Sequence, residues 1–148
     1  IPMKYGYDTS IQGNGGKSTI NPIIFRYADA YLSLAEALYL KNGSTAADKE
    51  KARSLINTIR SRAGLAELPA SAIDAQNKFV ECLLKERSHE FWCENGQYRA
   101  DLIRFDKFVS HAETVKGTSY ANKNKELYPL PLSAITDGKG LVLNNPGY

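Results

Sequence analysis

Residues 78–105, KFVECLLKERSHEFWCENGQYRADLIRF, decide the fold of this chain. The first half of this stretch places residues at the three-and-four spacing of one helical face, namely Val80, Leu83, Leu84, Arg87 and Phe91. This spacing predicts an amphipathic helix. Asn95-Gly96 follows, and its glycine can adopt positive φ and end that helix. Because a second periodic run begins at once, the stretch predicts two helices joined by a tight turn.

Charged residues interrupt the inward faces of both predicted helices. They are Glu86, Arg87 and Glu90 on the first, and Arg99, Asp101 and Arg104 on the second. A buried charge without a partner is strongly destabilising, so charges at core spacing must be paired or face a cavity. Because both signs occur in equal number, we predict a structural ion-pair network, in which Arg87 pairs with Asp101.

The same stretch offers three catalytic alternatives, and each lacks a requirement. Glu86-x-x-His89 resembles half of a di-iron site, but the other histidine, His111, has no glutamate at that spacing. His89 and Cys93 would need two further ligands to hold zinc. Glu86 and Glu90 stand one turn apart beside arginines that keep both ionised, whereas a glycosidase general acid needs a raised pKa. We therefore predict no catalytic residue, no metal and no cofactor.

The flanking sequence extends the helical pattern towards the amino terminus. Periodic runs predict one helix from Phe25 to Lys41 and another from Thr45 to Ala63, joined at Asn42-Gly43. Thr45 and Asp48 are spaced as a capping box at the start of the second helix. The fold class is therefore predicted as all-α, with two helical hairpins in a single domain over 1–148. We expect an extended amino-terminal segment over 1–24, four helices over 25–109, and an irregular loop with an extended tail over 110–148.

Composition restricts the range of functions. The chain has 148 residues, 43% of them hydrophobic and 24% charged, which is typical of one globular domain. A net charge of +3, with the basic residues scattered, argues against a nucleic-acid partner. Tyr5 and Tyr7 lie outside the helical pattern, and these two aromatic side chains are the candidate ligand-binding residues. The chain opens on Ile-Pro, so we expect a piece of a longer protein.

Four motifs, in order, resemble those of SusD/RagB-type proteins. RYADAYLSLAEAL (26–38) and ARSLINTIRSRAGL (52–65) resemble the family's helical hairpin. KERSHEFWCENGQYRADLIRF (85–105) resembles its signature, an E-R-x-x-E-F run, a turn with glycine and then R-x-x-D-L-I-R. LYPLPLSAI (127–135), followed by NNPGY (144–148), resembles its closing segment. The sequence departs from the family at Cys93-Glu94-Asn95, where one residue is inserted before the turn glycine.

The resemblance implies a non-enzymatic outer-membrane lipoprotein of Bacteroidetes-type bacteria, with tetratricopeptide-like hairpins. Such a protein captures glycans or peptides at the cell surface and delivers them to a TonB-dependent transporter of the SusC type. Family members are several times longer, so this chain resembles the carboxy-terminal portion only. Its contact with the membrane would be through a lipid anchor absent from this sequence. The alternative is a tetratricopeptide-like scaffold that binds other proteins.

Overall fold

All regular structure in the described part of the chain is helical, which confirms the all-α fold class. The computed structural model describes residue 4, residues 21–94 and residues 96–148. Tyr5, Tyr7 and most of the predicted segment over 1–24 lie outside these residues. The α-helices are α1 Tyr27–Leu40, α2 Ala46–Arg62, α3 Gln76–Glu90, α4 Gln97–Arg104, α5 Phe108–Lys116 and α6 Leu132–Asp137. Short 3₁₀ helices occupy Ala70–Ile73, Thr118–Tyr120 and Lys123–Glu126.

The chain divides into two compact units. The single domain over 1–148 stays a prediction. The first ends at Tyr98, and the second comprises Arg99–Tyr148. The first unit contains α1, α2, α3 and the 3₁₀ turn Ala70–Ile73. The second contains α5, α6 and the two later 3₁₀ turns.

The α1–α2 hairpin of the first unit has the predicted ends. The Thr45 side chain accepts from the Asp48 amide at 3.2 Å, and the Thr45 amide donates to the Asp48 carboxylate at 2.9 Å. These two bonds form the expected capping box at the start of α2. At its other end, Gly64 has a φ of 73°, and the amide of Leu65 donates to the Arg60 carbonyl at 2.9 Å. This is a Schellman motif, which stops α2 where the sequence predicted.

Gly64→Ala is expected to destabilise the first unit by about 1–2 kcal/mol, because an L side chain is strained at positive φ. Unfolding of the full-length protein in urea, followed by hydrogen exchange at the α2 amides, measures this loss. Gly64→Asn serves as the control and should lose less, since asparagine tolerates the left-handed region better. Equal losses for the two variants would contradict the explanation.

Apolar faces of three helices form the core of the first unit. The buried side chains are Ala28, Leu32, Ala35 and Tyr39 of α1, Ala52, Leu55, Ile56 and Ile59 of α2, and Phe79, Val80, Leu83 and Leu84 of α3. Tyr39 stacks on Phe79, with ring centres 3.8 Å apart and an interplanar angle of 3°. The Tyr39 hydroxyl also donates to the Ile73 carbonyl at 2.5 Å, which attaches the 3₁₀ turn to α1.

The predicted fourth helix is shorter than expected, because a left-handed aspartate ends it. Asp106 has a φ of 53°, and the Lys107 amide donates to the Leu102 carbonyl at 2.7 Å. Aspartate can adopt this conformation because its short polar side chain bonds locally. The chain then forms α5 from Phe108 to Lys116, so the loop predicted from residue 110 is wrong over this range.

The predicted extended tail is also partly helical. Residues 127–131 are not helical, but α6 begins directly after Pro131, which has a φ of −55° and a ψ of 139°. Proline restricts the backbone conformation of the residue before it, but it readily precedes or begins a helix. The prolines of this segment therefore do not exclude a helix after them. Asn144 and Tyr148 then attach the last residues to this segment. The Asn144 side chain accepts from the Leu130 amide, and the Tyr148 hydroxyl donates to the Leu127 carbonyl, both at 2.9 Å.

Candidate functional site

Arg26, directly before α1, connects the first helix to the end of α3. Its guanidinium donates to a Glu90 carboxylate oxygen at 2.6 Å and to the Glu90 carbonyl at 2.8 Å. It also donates to both carboxylate oxygens of Glu94, at 2.9 and 3.1 Å. Lys4 lies 2.5 Å from the same Glu94 carboxylate. Because Glu94 is buried, these cations supply the charge that its carboxylate requires.

The end of α2 joins the same network from its other side. Arg62 lies 2.5 Å from the second carboxylate oxygen of Glu90, and Arg60 pairs with the buried carboxylate of Glu86. One carboxylate oxygen of Glu90 therefore accepts a hydrogen bond from the Arg26 guanidinium, and the other accepts one from the Arg62 guanidinium. The helix ends of the first unit are held together by these shared carboxylates rather than by isolated pairs.

Arg87 is buried and pairs with Asp29 of α1, whose carboxylate lies 2.7 Å from its guanidinium. The Gln97 side-chain oxygen also accepts from Arg87, at 3.3 Å. The ring of Phe91 lies close to two guanidinium groups, with its centre 5.2 Å from the Arg26 carbon and 5.1 Å from the Arg87 carbon. Both distances suit a cation–π interaction. The predicted pair between Arg87 and Asp101 joins residues of the two units and stays a prediction.

The remaining residues of the predicted network lie in the second unit. Arg104 donates to the buried carboxylate of Asp101 at 2.9 Å, one helical turn away. Arg99 donates to the backbone carbonyls of Lys125 and Glu126, at 2.5 and 3.1 Å. Its guanidinium carbon also lies 4.1 Å from the centre of the Tyr128 ring. Arg99 thus holds the 3₁₀ helix Lys123–Glu126 of its own unit by binding two of its backbone carbonyls. Charge pairing alone does not predict this role.

A cleft of about 430 Å³ lies beside α2 and is called the α2 cleft here. One wall is the first two turns of α2, and the other is formed by residues 70–74. Its polar lining residues are Lys49, Glu50, Arg53, Ser71 and Asp74. The volume falls within the usual range for small-molecule sites, about 300–1,000 Å³. It lies entirely within the first unit.

Comparison with known proteins decides the family. The model of the SusD family matches residues 2–148. The chain belongs to the SusD family.

Two curated relatives of this SusD-family chain have names that refer to the same group. The chain is 30% identical over 132 residues to the "Starch-binding protein SusD" of Bacteroides thetaiotaomicron, a match that covers 84% of this chain and 21% of the relative. It is 28% identical over 155 residues to "SusD-like protein P2" of Formosa agariphila, covering 100% of this chain and 30% of the relative. The chain therefore spans less than a third of the length of either relative. No solved structure matches it.

The SusD-family motif over 85–105 contains all six charged residues that the sequence assigned to the network. The structure places them in two groups, with Glu86, Arg87 and Glu90 in the first unit and the other three in the second. Glu94, at the departure from the family pattern, is itself buried and paired with Arg26. The inserted residue before the turn glycine therefore does not remove this carboxylate from the ion-pair network.

The pKa values of two carboxyl groups in this network, Glu90 and Glu94, are lowered. Burial raises the pKa of the Glu90 carboxyl, but hydrogen bonds from Arg62 and Arg26 outweigh burial and leave that pKa below its ordinary value. A general acid must be protonated near neutral pH, so Glu90 is poorly suited to that role. Among the described residues, no three His, Cys, Asp or Glu side chains form a metal site, and no helix is long and apolar enough to cross a membrane.

The lowered pKa of Glu90 predicts a dependence of stability on pH. Because the folded-state pKa lies below the unfolded value, the stability that this group contributes is complete above about pH 4.5, the ordinary pKa of glutamate, and is lost as pH falls through the folded pKa. Glu90→Gln should remove this part of the acid dependence. Unfolding free energies of the full-length protein between pH 3 and pH 6 would measure it.

Glu81→Gln provides the matched control, since Glu81 lies on the exposed side of the same helix. The free energy of unfolding of the Glu81→Gln variant should depend on pH as that of the wild type does. If Glu90→Gln also retained the wild-type slope, the paired carboxylate would not be contributing to the stability as argued.

Sequence spacing does not predict two features of this region. Asp29 was not identified as the partner of Arg87, because the two residues are 58 positions apart and sequence spacing relates only neighbours along a helix. The α2 cleft was missed because its second wall, residues 70–74, carries no motif. One signal was present, since Ala46, Lys49, Glu50 and Arg53 recur at the spacing of one helical face.

Proposed function

We propose that the SusD-family protein to which this chain belongs captures glycan nutrients at the bacterial cell surface. The observation that supports this is the family match, together with a relative whose name describes starch binding. The protein releases its ligand chemically unchanged and is not an enzyme. This agrees with the arginine-paired carboxylate of Glu90, whose lowered pKa is unsuited to acid catalysis.

The proposal also covers the cellular location of the protein and its partner protein. It is a surface-exposed lipoprotein of the outer membrane, and it passes its glycan to a TonB-dependent transporter of the SusC type. A peptide ligand is an alternative to the glycan, because nothing in the ion-pair network favours one kind of ligand over the other. Tyr5 and Tyr7, which lie outside the described residues, stay the proposed contact residues on the sequence evidence.

Calorimetric titration of the full-length protein with starch-derived, mucin-type and plant oligosaccharides tests the binding. Chromatography of the recovered sugars should show them intact, and purification from membranes should recover a large TonB-dependent transporter. A protein that binds no glycan or peptide, and recovers no transporter, would contradict the proposal.

A protein-interaction scaffold is the second candidate. It is favoured by exposed apolar side chains at the start of α1, where Ile24, Phe25 and Tyr27 are 79%, 64% and 75% exposed. Exposed apolar patches of this kind often mark interaction surfaces. Purification that recovers soluble proteins but no transporter, without glycan binding, would favour this candidate.

A further inference from the structure

We infer that the α2 cleft is a binding subsite for a neutral oligosaccharide. The inference rests on the proposed glycan-binding function and assigns one place where the sugar binds. Four observations support it: the balanced charge of the cleft, the fixed position of its walls, its apolar lining residues and the unpaired polar groups on its lining.

The charges that line the cleft balance one another. Lys49 and Arg53 contribute two positive charges, while Glu50 and Asp74 contribute two negative charges. Arg53 binds both carboxylate oxygens of Glu50, at 2.9 and 2.5 Å, and Lys78 lies 2.8 Å from Asp74. A lining without excess charge favours neither an anion nor a cation. Sugar hydroxyl groups donate and accept, so they suit a site that offers ammonium donors beside carboxylate acceptors.

Hydrogen bonds to the backbone fix both walls before a ligand arrives. Arg53 donates to the Leu68 carbonyl at 2.7 Å, and the Asn57 side chain accepts from the Leu68 amide at 2.8 Å. These two bonds attach Leu68, which precedes the 3₁₀ turn Ala70–Ile73, to α2. The Tyr39 hydroxyl holds the Ile73 carbonyl on the other side. A site with fixed walls loses little conformational entropy on binding, which favours affinity for a weakly held ligand such as a sugar.

The cleft has apolar side chains beside polar groups that are free to bind a ligand. Its apolar lining residues are Ala46, Ala70 and Ile73, which suit the C–H face of a sugar ring. The Lys49 ammonium lies 5.2 Å from the centre of the Tyr39 ring and forms no ion pair with any described residue. Its three protons, with the Ser71 hydroxyl, are therefore available to a bound sugar.

The test uses the full-length protein and a panel of malto-, cello-, xylo- and manno-oligosaccharides. Titration calorimetry identifies which sugar binds, and hydrogen–deuterium exchange with that sugar at saturation locates it. We expect slower exchange over residues 46–53 and 70–74. Lys49→Met should weaken binding about tenfold, as expected for loss of a hydrogen bond from a charged donor. Ala46→Leu should also weaken binding, because it places a larger side chain on the lining of the cleft.

Two matched variants control for general effects on α2. Lys51→Met is the control for Lys49→Met, because it makes the same change at an exposed position outside the cleft. Ala47→Leu is the control for Ala46→Leu for the same reason. Both should bind as the wild type does. If a sugar binds but exchange over the cleft is unchanged, and all four variants retain wild-type affinity, the subsite is overturned while glycan binding stands. If no sugar of the panel binds, the glycan proposal fails and the subsite with it.

Discussion

Phe79→Ala is expected to lower the free energy of unfolding of the first unit by about 3–5 kcal/mol. The Phe79 side chain is fully buried, and its ring stacks on Tyr39 of α1. Truncation removes the transfer energy of the ring and leaves a cavity between α1 and α3. Because Tyr39 also holds the Ile73 carbonyl, loss of the stacked ring should loosen the 3₁₀ turn as well.

The same substitution at an exposed phenylalanine provides the control. Phe25→Ala removes an identical group from a side chain that is 64% exposed, so its cost should be below about 1 kcal/mol. Urea unfolding of both full-length variants, followed by hydrogen exchange at the α3 amides, measures the two losses. Similar losses at Phe79 and Phe25 would show that burial does not determine the stability of this helix.

The helices that could be predicted are those whose signals are local. The capping box of Thr45 and Asp48, the terminal glycine at Gly64 and the apolar spacing of α3 each involve residues within one or two turns. Local physics decides such features, so one sequence is sufficient to recognise them. Phe79 was not included in the predicted face of α3, although it is more deeply buried than its neighbour Val80. The buried face is wider than one stripe because α1 and the 3₁₀ turn both pack on α3.

The turn at Asp106 shows where local signals are weak. A glycine at positive φ is recognisable in a sequence, but aspartate adopts that conformation only in some surroundings. The sequence therefore predicts helix up to residue 109, although α4 ends at Arg104. Phe108, Ala112 and Val115 recur at the spacing of one helical face, and this is the signal of α5 within an otherwise polar segment.

The existence of the ion-pair network could be predicted more easily than its pairing. Buried charges must be neutralised, so Glu86, Arg87 and Glu90 at core spacing required partners. The partners observed in the first unit are Arg60, Asp29 and the pair Arg26 and Arg62, none of which lies on the helix that follows α3. Partner choice depends on how helices distant in sequence pack. For that reason the α2 cleft, which brings two separate segments together, could not be assigned either.

Arg87→Ala is expected to have an effect of similar size, about 3–5 kcal/mol, for a different physical reason. The Arg87 side chain is 7% exposed, and the side chain of its partner Asp29 is 14% exposed. Removing the guanidinium leaves the Asp29 carboxylate largely out of water without its described cation. The Phe91 ring also loses one of the two guanidinium groups near its face.

A second variant separates the charge effect from the lost packing of the side chain. Arg87→Met keeps most of the apolar stem but leaves the carboxylate unpaired, so it should be nearly as destabilising as Arg87→Ala. The double variant Asp29→Asn with Arg87→Met removes both charges of the pair and should recover part of the loss, because neither member is left as an unpaired ion. Lys85→Ala, an exposed position on α3, should change stability by less than about 0.5 kcal/mol. Were Arg87→Ala to cost no more than Lys85→Ala, the buried pair of Arg87 and Asp29 would contribute nothing measurable to the stability of the first unit.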